Sequence, residues 1–200
     1  MESFNIKETE LEFKYDASDI SLEQFEKWAI DHGHRRYIET SSWDIYFSSA
    51  DYEQNKLPFE FMRLRNGSTP ELTIKRKNTE TNNNNRIEID LPLDAAHGDV
   101  EIENIVTAFC RQFGFVENFR VYKYCSIYFY EKFDIVYYIA YDTEMKEQAR
   151  FIEIEALKSY PFKTAEEALS CIKDVEQRMS AIGISPQKRM RKSMWERFKK

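Results

Sequence analysis

Charged and apolar side chains alternate along several segments of this 200-residue chain, and this alternation constrains the fold more than any other feature. In the first segment, Glu10, Glu12 and Lys14 are separated by Leu11 and Phe13. The later charged positions with this spacing are Arg63 and Arg65, Lys75 and Lys77, Arg86, Glu88 and Asp90, and Glu153 and Glu155. Alternate side chains of a β-strand point to opposite faces, so each segment is predicted to be a strand with one charged and one apolar face.

Three other segments have the periodicity and end signals of helices. The first begins after Ser21 with Gln24 as its capping partner, the second covers 100–113 after Asp99, and the third begins at Thr164. Strands are predicted at 6–15, 43–49, 58–65, 71–77, 86–92, 119–130, 134–142 and 150–157. Because hairpin connections join most of these strands, we predict an antiparallel sheet with helices packed on it, in a single domain.

The composition excludes several common classes of protein. Mean hydropathy is −0.66 and no apolar run approaches the length of a bilayer span, so no membrane partner is expected. The N-terminal residues lack the pattern of a signal peptide. Three cysteines without CxxC spacing predict a reducing, cytoplasmic environment, and three scattered histidines argue against a histidine-based metal site. The five glycines form neither the Rossmann nor the P-loop phosphate-binding pattern.

The C-terminal residues 185–200 differ from the rest of the chain in charge. They contain seven basic residues and one acidic residue, whereas the whole chain has a formal net charge of −6. Such a tail can bind nucleic acid or another anionic surface, or it can lie on the acidic remainder of its own chain. We favour the second interpretation, because basic helix ends of this kind are common.

The charges of the alternating strands are sorted by sign. The first and last segments carry mainly glutamates, whereas the segments around Arg63 and Lys75 have only basic residues on their charged faces. For any one strand, the simpler interpretation is the exposed face of a sheet. Carboxylates without histidine or thiol partners suit Mg²⁺ or Mn²⁺, and lysine and arginine match phosphate oxygens. Together these strands indicate metal-dependent phosphoryl transfer, and a closed barrel would place their charged faces on one lumen.

The order of these motifs resembles the CYTH superfamily, the triphosphate tunnel metalloenzymes. The resemblance extends through nearly the whole chain and rests on eight elements in register. In chain order they are Glu10–Lys14 (ELEFK), Asp44–Phe47 (DIYF), Arg63–Arg65 (RLR), Leu72–Lys75 (LTIK), Arg86–Glu88 (RIE), Gly114 and Phe115 followed by Val121 and Lys123, Asp142, and Phe151–Glu155 (FIEIE).

The resemblance implies a fold and a cofactor. The implied fold is α+β, with an eight-stranded antiparallel closed β-barrel that forms a tunnel and with helices packed outside it. Residues 1–200 would form this single domain, with 185–200 as a basic tail. Members of the family bind a triphosphate on basic residues and a divalent metal ion on glutamates, so the implied cofactor is Mg²⁺ or Mn²⁺.

The resemblance also implies roles for individual residues. The implied metal ligands are Glu10, Glu12, Glu153 and Glu155, with Asp142 assisting. The implied phosphate-binding residues are Lys14, Arg63, Arg65, Lys75 and Lys123, with Arg86 and Glu88 also lining the tunnel. The residues expected to act in catalysis are Glu10, Glu12 and Lys14. The strand phase adds Lys77 to the phosphate-binding set, and Lys192 in the tail is a weaker candidate.

Three positions depart from the family pattern. Cys125 stands where a second basic residue is usual, Ser48 replaces an aspartate, and residues 143–150 replace a shorter turn. Arg120 is close to Cys125 but lies in the wrong strand phase to replace the missing charge. These departures bear on the choice of substrate more than on the fold.

The implied activity is metal-dependent hydrolysis of tripolyphosphate, a nucleoside triphosphate or thiamine triphosphate. A class IV adenylyl cyclase, which makes cyclic AMP and pyrophosphate from ATP, would use the same residues, and an RNA 5′-triphosphatase is a third variant. Because Cys125 replaces a basic residue, a nucleotide-binding protein without turnover is a further alternative. The last alternative is a purely structural sheet protein, which would bind no ligand. Expected partners are a small triphosphate such as ATP and, among nucleic acids, only RNA 5′-triphosphate ends. The chain is expected to be a monomer or homodimer.

Overall fold

The computed structural model describes residues 11–49, 59, 61–77, 86–130, 132–157, 160, 162–190 and 192–199. The strands in these ranges are β1 (Glu12–Asp16), β2 (Arg35–Ser48), β3 (Phe61–Gly67), β4 (Glu71–Lys77), β5 (Arg86–Pro92), β6 (Val116–Tyr130), β7 (Phe133–Tyr141) and β8 (Glu147–Ala156). The helices are α1 (Leu22–Asp31), α2 (Asp99–Gln112), α3 (Ala165–Met179) and α4 (Met194–Phe198). Short 3₁₀ turns occur at Ala95–His97, Ser180–Ile182 and Pro186–Lys188.

Hydrogen bonds join the eight strands into one sheet in the order β1-β8-β7-β6-β2-β3-β4-β5. The ladders of β1 with β8, β7 with β8, and β2 through β5 in sequence are antiparallel. The predicted α+β fold with an eight-stranded antiparallel sheet is therefore confirmed. The predicted closure of the sheet into a barrel is not confirmed. The strand order begins at β1 and ends at β5, and the described parts of these two strands do not form a ladder with each other.

The end signals in the sequence locate two of the helices correctly. The Ser21 hydroxyl accepts a hydrogen bond from the Gln24 amide, and the Gln24 side chain accepts one from the Ser21 amide. The Thr164 hydroxyl likewise accepts from the amide of Glu167 at the start of α3. The predicted cap of α2 is wrong: Gly98 is the N-cap, and Asp99 is the first helical residue.

The chain divides into two compact units, which we describe separately. The first unit includes Ser41–Tyr122 and Met194–Lys200, and the second comprises Glu10–Thr40 and Lys123–Ser193. In the first unit, α2 packs against β3. Its apolar core consists of the buried residues Ile45, Phe47, Met62, Leu64, Leu72, Ile102, Val106, Cys110 and Phe115. These core residues occupy one face of β2 and β3, so the charged residues that alternate with them lie on the other face.

The second unit has its own core, formed by α1 and α3 against β1, β7, β8 and the last part of β6. The ring of Phe25 on α1 contacts Tyr128 and Tyr137 at centroid distances of 5.4 and 5.3 Å, and the Tyr137 hydroxyl donates a 2.8 Å hydrogen bond to the carbonyl of Ile20. The strand residues of this core are Tyr15, Tyr128, Phe133, Ile135, Tyr137, Ile152, Ile154 and Ala156. Their burial fixes which face of these strands carries the alternating charged residues.

The tail residues that belong to the second unit lie on acidic side chains, as favoured from the sequence. Lys188 Nζ is 2.6 Å from the Asp19 carboxylate. The Arg189 guanidinium pairs with Glu176, which is 5% exposed, and the Met190 amide donates a 2.7 Å hydrogen bond to the carbonyl of Lys14. The chain after α3 is thereby fastened to β1, the strand that carries part of the predicted site.

A buried histidine in the second unit makes stability depend on pH. His34 is 4% exposed and its ring lies 5.1 Å from the ring of Trp28. Burial lowers the pKa of His34 from 6.5 to about 4, and the positive charges of His32 and Arg178 add to this. The unfolded chain therefore takes up this proton first as pH falls. The stabilisation is complete above pH 6.5 and is lost as pH falls towards 4.

We expect this histidine to account for about 3 kcal/mol of the stability lost between pH 7 and pH 4. The measurement is the free energy of unfolding in urea at several pH values for the wild type, His34→Phe and His97→Gln. His97 is an exposed histidine and serves as the control. The wild-type pH dependence should persist in His97→Gln and shrink by about this amount in His34→Phe. Equal pH dependence in all three proteins would contradict the assignment.

Candidate active site

Three carboxylates of the second unit lie in one row across the sheet. The register places Glu12 of β1 opposite Glu155 of β8, and Glu155 opposite Asp134 of β7. Directly opposed residues of antiparallel strands have their side chains on the same face, where like charges repel. We call Glu12, Glu155 and Asp134 the carboxylate row. Its charge would be stabilised by a bound cation.

A lysine cluster lies next to this row. Lys14 Nζ is 2.6 Å from Oε1 of Glu153, and the Tyr138 hydroxyl donates a 3.0 Å hydrogen bond to the same oxygen. Lys123 is 6% exposed, and its ammonium group lies 4.9 Å from the centre of the Tyr138 ring. The structure thus brings together three of the predicted residues, Lys14, Lys123 and Glu153, and adds Tyr138 to them.

Asp134 was not predicted from the sequence, because this residue belongs to none of the recognised motifs. Its Oδ1 atom is buried and has no hydrogen-bond partner among the described residues. Burial raises the pKa of its carboxyl. The β7–β8 hairpin is the nearest signal, but counting back from the turn gives the wrong partner, because the irregularity between Ala140 and Tyr141 shifts the register by one residue.

Asp142, the predicted assisting ligand, has a different position and role. Its Oδ1 accepts 2.9 Å hydrogen bonds from the amides of Glu144 and Lys146, and its Oδ2 accepts a 2.7 Å bond from the Gln148 side chain. It lies at the hairpin tip, six residues beyond Val136, which pairs with Glu153. At a rise of about 3.3 Å per residue, that separation is roughly 20 Å, too far for one shared ion. Asp142 stabilises the turn instead.

The first unit contains a buried ion pair between Asp44 and Arg65. The two residues are opposite each other on β2 and β3, and Arg65 donates through Nε and Nη2 to the two carboxylate oxygens at 3.0 and 3.2 Å. Asp44 is 0% exposed. A bidentate pair of this kind fixes the plane and direction of the guanidinium group. The motif match assigned Asp44 no role, and its effect here is to position Arg65.

Arg63 lies in the next row of the same face. Its Nη2 atom is 2.8 Å from Oγ1 of Thr73 and 3.2 Å from Oε1 of Glu71, and the Thr73 hydroxyl donates a 2.9 Å hydrogen bond to Asp90. Arg63 is 7% exposed. The sorting by sign inferred from the sequence holds for Arg63 and Arg65 on β3. It does not hold on β4, where Glu71 has the same alternation as Lys75, or between strands, where Arg65 is opposed by Asp44 and Glu71.

The remaining predicted residues are located only in part. Glu10 lies outside the described residues. The register pairs Lys75 with Glu88 and Lys77 with Arg86 across β4 and β5, but the positions of these four side chains are also outside the described part of the structure. Lys192 is an exposed residue of the tail. Cys125 is a partly buried cysteine that is not part of a disulfide, and Arg120 pairs with Glu103 and Glu117, consistent with its expected phase.

The donor set in the second unit fits a hard divalent cation in its chemistry. It consists of carboxylate oxygens, which Mg²⁺ and Mn²⁺ prefer. One of these oxygens, the buried Oδ1 of Asp134, has no hydrogen-bond partner in the described ranges. No three acidic, histidine or cysteine side chains in those ranges are grouped closely enough to hold one ion as they stand. In the same ranges, no helix is long and apolar enough to cross a membrane.

Comparison with known proteins identifies the fold. No protein-family model and no curated protein matches the chain. A conserved hypothetical protein from Pyrococcus furiosus has a TM-score of 0.67 at 20% identity over 94% of this chain and 98% of its own. A "putative adenylate cyclase" from Vibrio parahaemolyticus has a TM-score of 0.66 at 13% identity, with 94% and 97% coverage. This chain has the CYTH fold.

A third solved structure with the CYTH fold comes from Hippeastrum. It is described as a "putative adenylyl cyclase" with a dominant triphosphatase activity, and it has a TM-score of 0.56 at 12% identity over 88% of each chain. The resemblance drawn from the motifs is thus confirmed for the fold. At these identities the CYTH fold is what the chain shares with its neighbours, and its chemistry has to be argued from its own residues.

Proposed function

We propose that this protein is a divalent-metal-dependent triphosphatase that hydrolyses a phosphoric anhydride bond of tripolyphosphate or of a nucleoside or thiamine triphosphate. The observation that carries the proposal is the carboxylate row of Glu12, Glu155 and Asp134, which lies next to Lys14 and Glu153 on one face of the sheet. A row of acids beside a lysine fits a metal-bound phosphate better than it fits a structural sheet, because like charges directly opposite one another destabilise strand pairing.

The proposal includes closure of the sheet into a tunnel, with residues 1–200 acting as one domain. In such a tunnel the carboxylates and the arginines would act on the same triphosphate. The dominant triphosphatase activity described for the Hippeastrum protein supports hydrolysis over cyclisation.

In this proposal Mg²⁺ or Mn²⁺ would be held by Glu10, Glu12, Glu153, Glu155 and Asp134. When bound, such an ion neutralises phosphate charge and acidifies a water molecule. Lys14 and Lys123 neutralise charge on the phosphate nearest the ion. The Tyr138 hydroxyl holds Glu153, and with it Lys14, in place.

The basic residues of the first unit would bind the rest of the triphosphate. Arg63 and Arg65 contact phosphate oxygens, and Asp44 holds Arg65 in the orientation required. Lys75, Lys77, Arg86 and Glu88 belong to the same proposed set. Catalysis then consists mainly of positioning the chain of phosphates and stabilising the charge that develops as water attacks the terminal phosphorus. The bond from that phosphorus to the bridging oxygen breaks, the remaining diphosphate part of the substrate is the leaving group, and the attacked phosphorus becomes orthophosphate.

Product analysis with ATP tests the proposal against its alternatives. The purified protein is incubated with ATP and either Mg²⁺ or Mn²⁺, and the products are separated by ion-exchange chromatography. We expect ADP and orthophosphate. Cyclic AMP with pyrophosphate would make the protein a cyclase, ATP binding without any product would make it a binding protein, and neither binding nor product would exclude ATP as its ligand.

A further inference from the structure

Glu71 lies at the point where two arginines of the first unit converge. Its Oε1 atom is 3.2 Å from Nη2 of Arg63 and 3.6 Å from Nη1 of Arg65, and Thr73 Oγ1 is 3.4 Å away. The register places Glu71 directly opposite Arg65. One carboxylate oxygen is therefore held by both guanidinium groups at the same time.

A phosphate oxygen bound by both arginines would need this same position. Guanidinium groups bind carboxylate and phosphate oxygens with the same donor geometry, so the two anions compete for the same donors. The two acids next to Arg65 differ in how easily each carboxylate can move away from the guanidinium group. The Asp44 side chain is fully buried, whereas 26% of the Glu71 side chain is exposed and can turn towards solvent. Glu71 is the exchangeable partner of the arginines.

We propose that Glu71 is an internal counter-ion that a polyphosphate must displace from Arg63 and Arg65, and that it thereby lowers the affinity of the protein for polyphosphate anions. The inference rests on the proposed function, because it assumes that these arginines bind the triphosphate. The matched motif in β4 begins at Leu72, so the resemblance gives residue 71 no role. The role follows from the convergence of the two arginines on a single oxygen.

Metal-free binding of tripolyphosphate isolates this effect from the carboxylates of the second unit. Calorimetric titrations in EDTA compare the wild type with Glu71→Gln, which keeps the shape of the side chain but removes its charge. We expect Glu71→Gln to bind tripolyphosphate about tenfold more tightly, because the competing charge next to two guanidinium groups is gone. Glu101→Gln removes the same charge from an exposed position on α2 and should stay within about twofold of the wild type.

Two further variants make the outcome decisive. Glu71→Ala should tighten binding in the same direction, and it replaces Glu71→Gln if that variant has an altered melting temperature. Arg63→Gln should weaken binding. If Arg63→Gln weakens binding while both Glu71 variants bind no more tightly than the wild type, the counter-ion role is overturned and the proposed function stands. If none of the proteins binds tripolyphosphate in EDTA, this inference fails, and the proposed metal-dependent function is decided separately by orthophosphate release with Mn²⁺.

Discussion

Replacing Arg63 and Arg65 together with glutamine is expected to lower kcat/KM for tripolyphosphate by about a thousandfold. Each arginine contributes a charge-assisted contact of about 1.5–3 kcal/mol, and each 1.4 kcal/mol corresponds to about tenfold. Orthophosphate release under saturating Mn²⁺ measures the effect. The loss should appear mainly in KM if the arginines only bind substrate, and in kcat if they also stabilise the developing charge.

The design of this variant has to take Asp44 into account. Asp44 is fully buried, and removal of Arg65 would leave its charge without its bidentate partner, a cost of about 3–5 kcal/mol in stability. The variant therefore also carries Asp44→Asn, and Asp44→Asn alone is measured beside it. Arg120→Gln is the control, since Arg120 pairs only with Glu103 and Glu117 in the described contacts and should keep wild-type kcat/KM. A well-folded variant with kcat/KM within tenfold of the wild type would contradict the proposed role of the two arginines in substrate binding.

Glu153→Gln is expected to raise the Mn²⁺ concentration for half-maximal activity by about a hundredfold. Glu153 is a proposed metal ligand, and its Oε1 atom also lies 2.6 Å from Nζ of Lys14. Its neutral isostere should therefore both weaken binding of the ion and displace the lysine. Mn²⁺ binding followed by electron paramagnetic resonance gives the affinity without relying on turnover. Glu147→Gln changes an exposed residue of the same strand that pairs with Arg150, and it should leave Mn²⁺ binding unchanged. Equal Mn²⁺ affinity in both variants would contradict the metal assignment.

Elements that depend on local signals could be predicted from the sequence. The strands β4 and β5 have the bounds that alternation and turn residues indicated, and Ser21 and Thr164 cap their helices. Other boundaries needed tertiary information. Residues 35–42 extend β2 beyond the segment with clear alternation, and α4 is too short to show helical periodicity.

Residues that act across strands could not be predicted in the same way. Asp134 joins Glu155 only through the register of β7 with β8, and an irregularity between Ala140 and Tyr141 shifts that register near the turn. Asp142 matched a motif by sequence, yet its position at the hairpin tip makes it a turn residue. Glu71 lies outside every motif, and its importance comes from the two arginines that meet at its carboxylate. Alternation predicts which face a side chain occupies, but pairing decides its neighbours.

Triphosphatase activity is tested by the release of orthophosphate from tripolyphosphate by the wild-type protein, measured with Mn²⁺ and again with excess EDTA. Tripolyphosphate has no nucleoside, so turnover requires only the phosphate-binding and metal-binding residues. We expect orthophosphate release with Mn²⁺ and none in EDTA. If folded protein releases no orthophosphate with Mn²⁺ and none with Mg²⁺, the result would contradict a triphosphatase that acts on the phosphate chain itself.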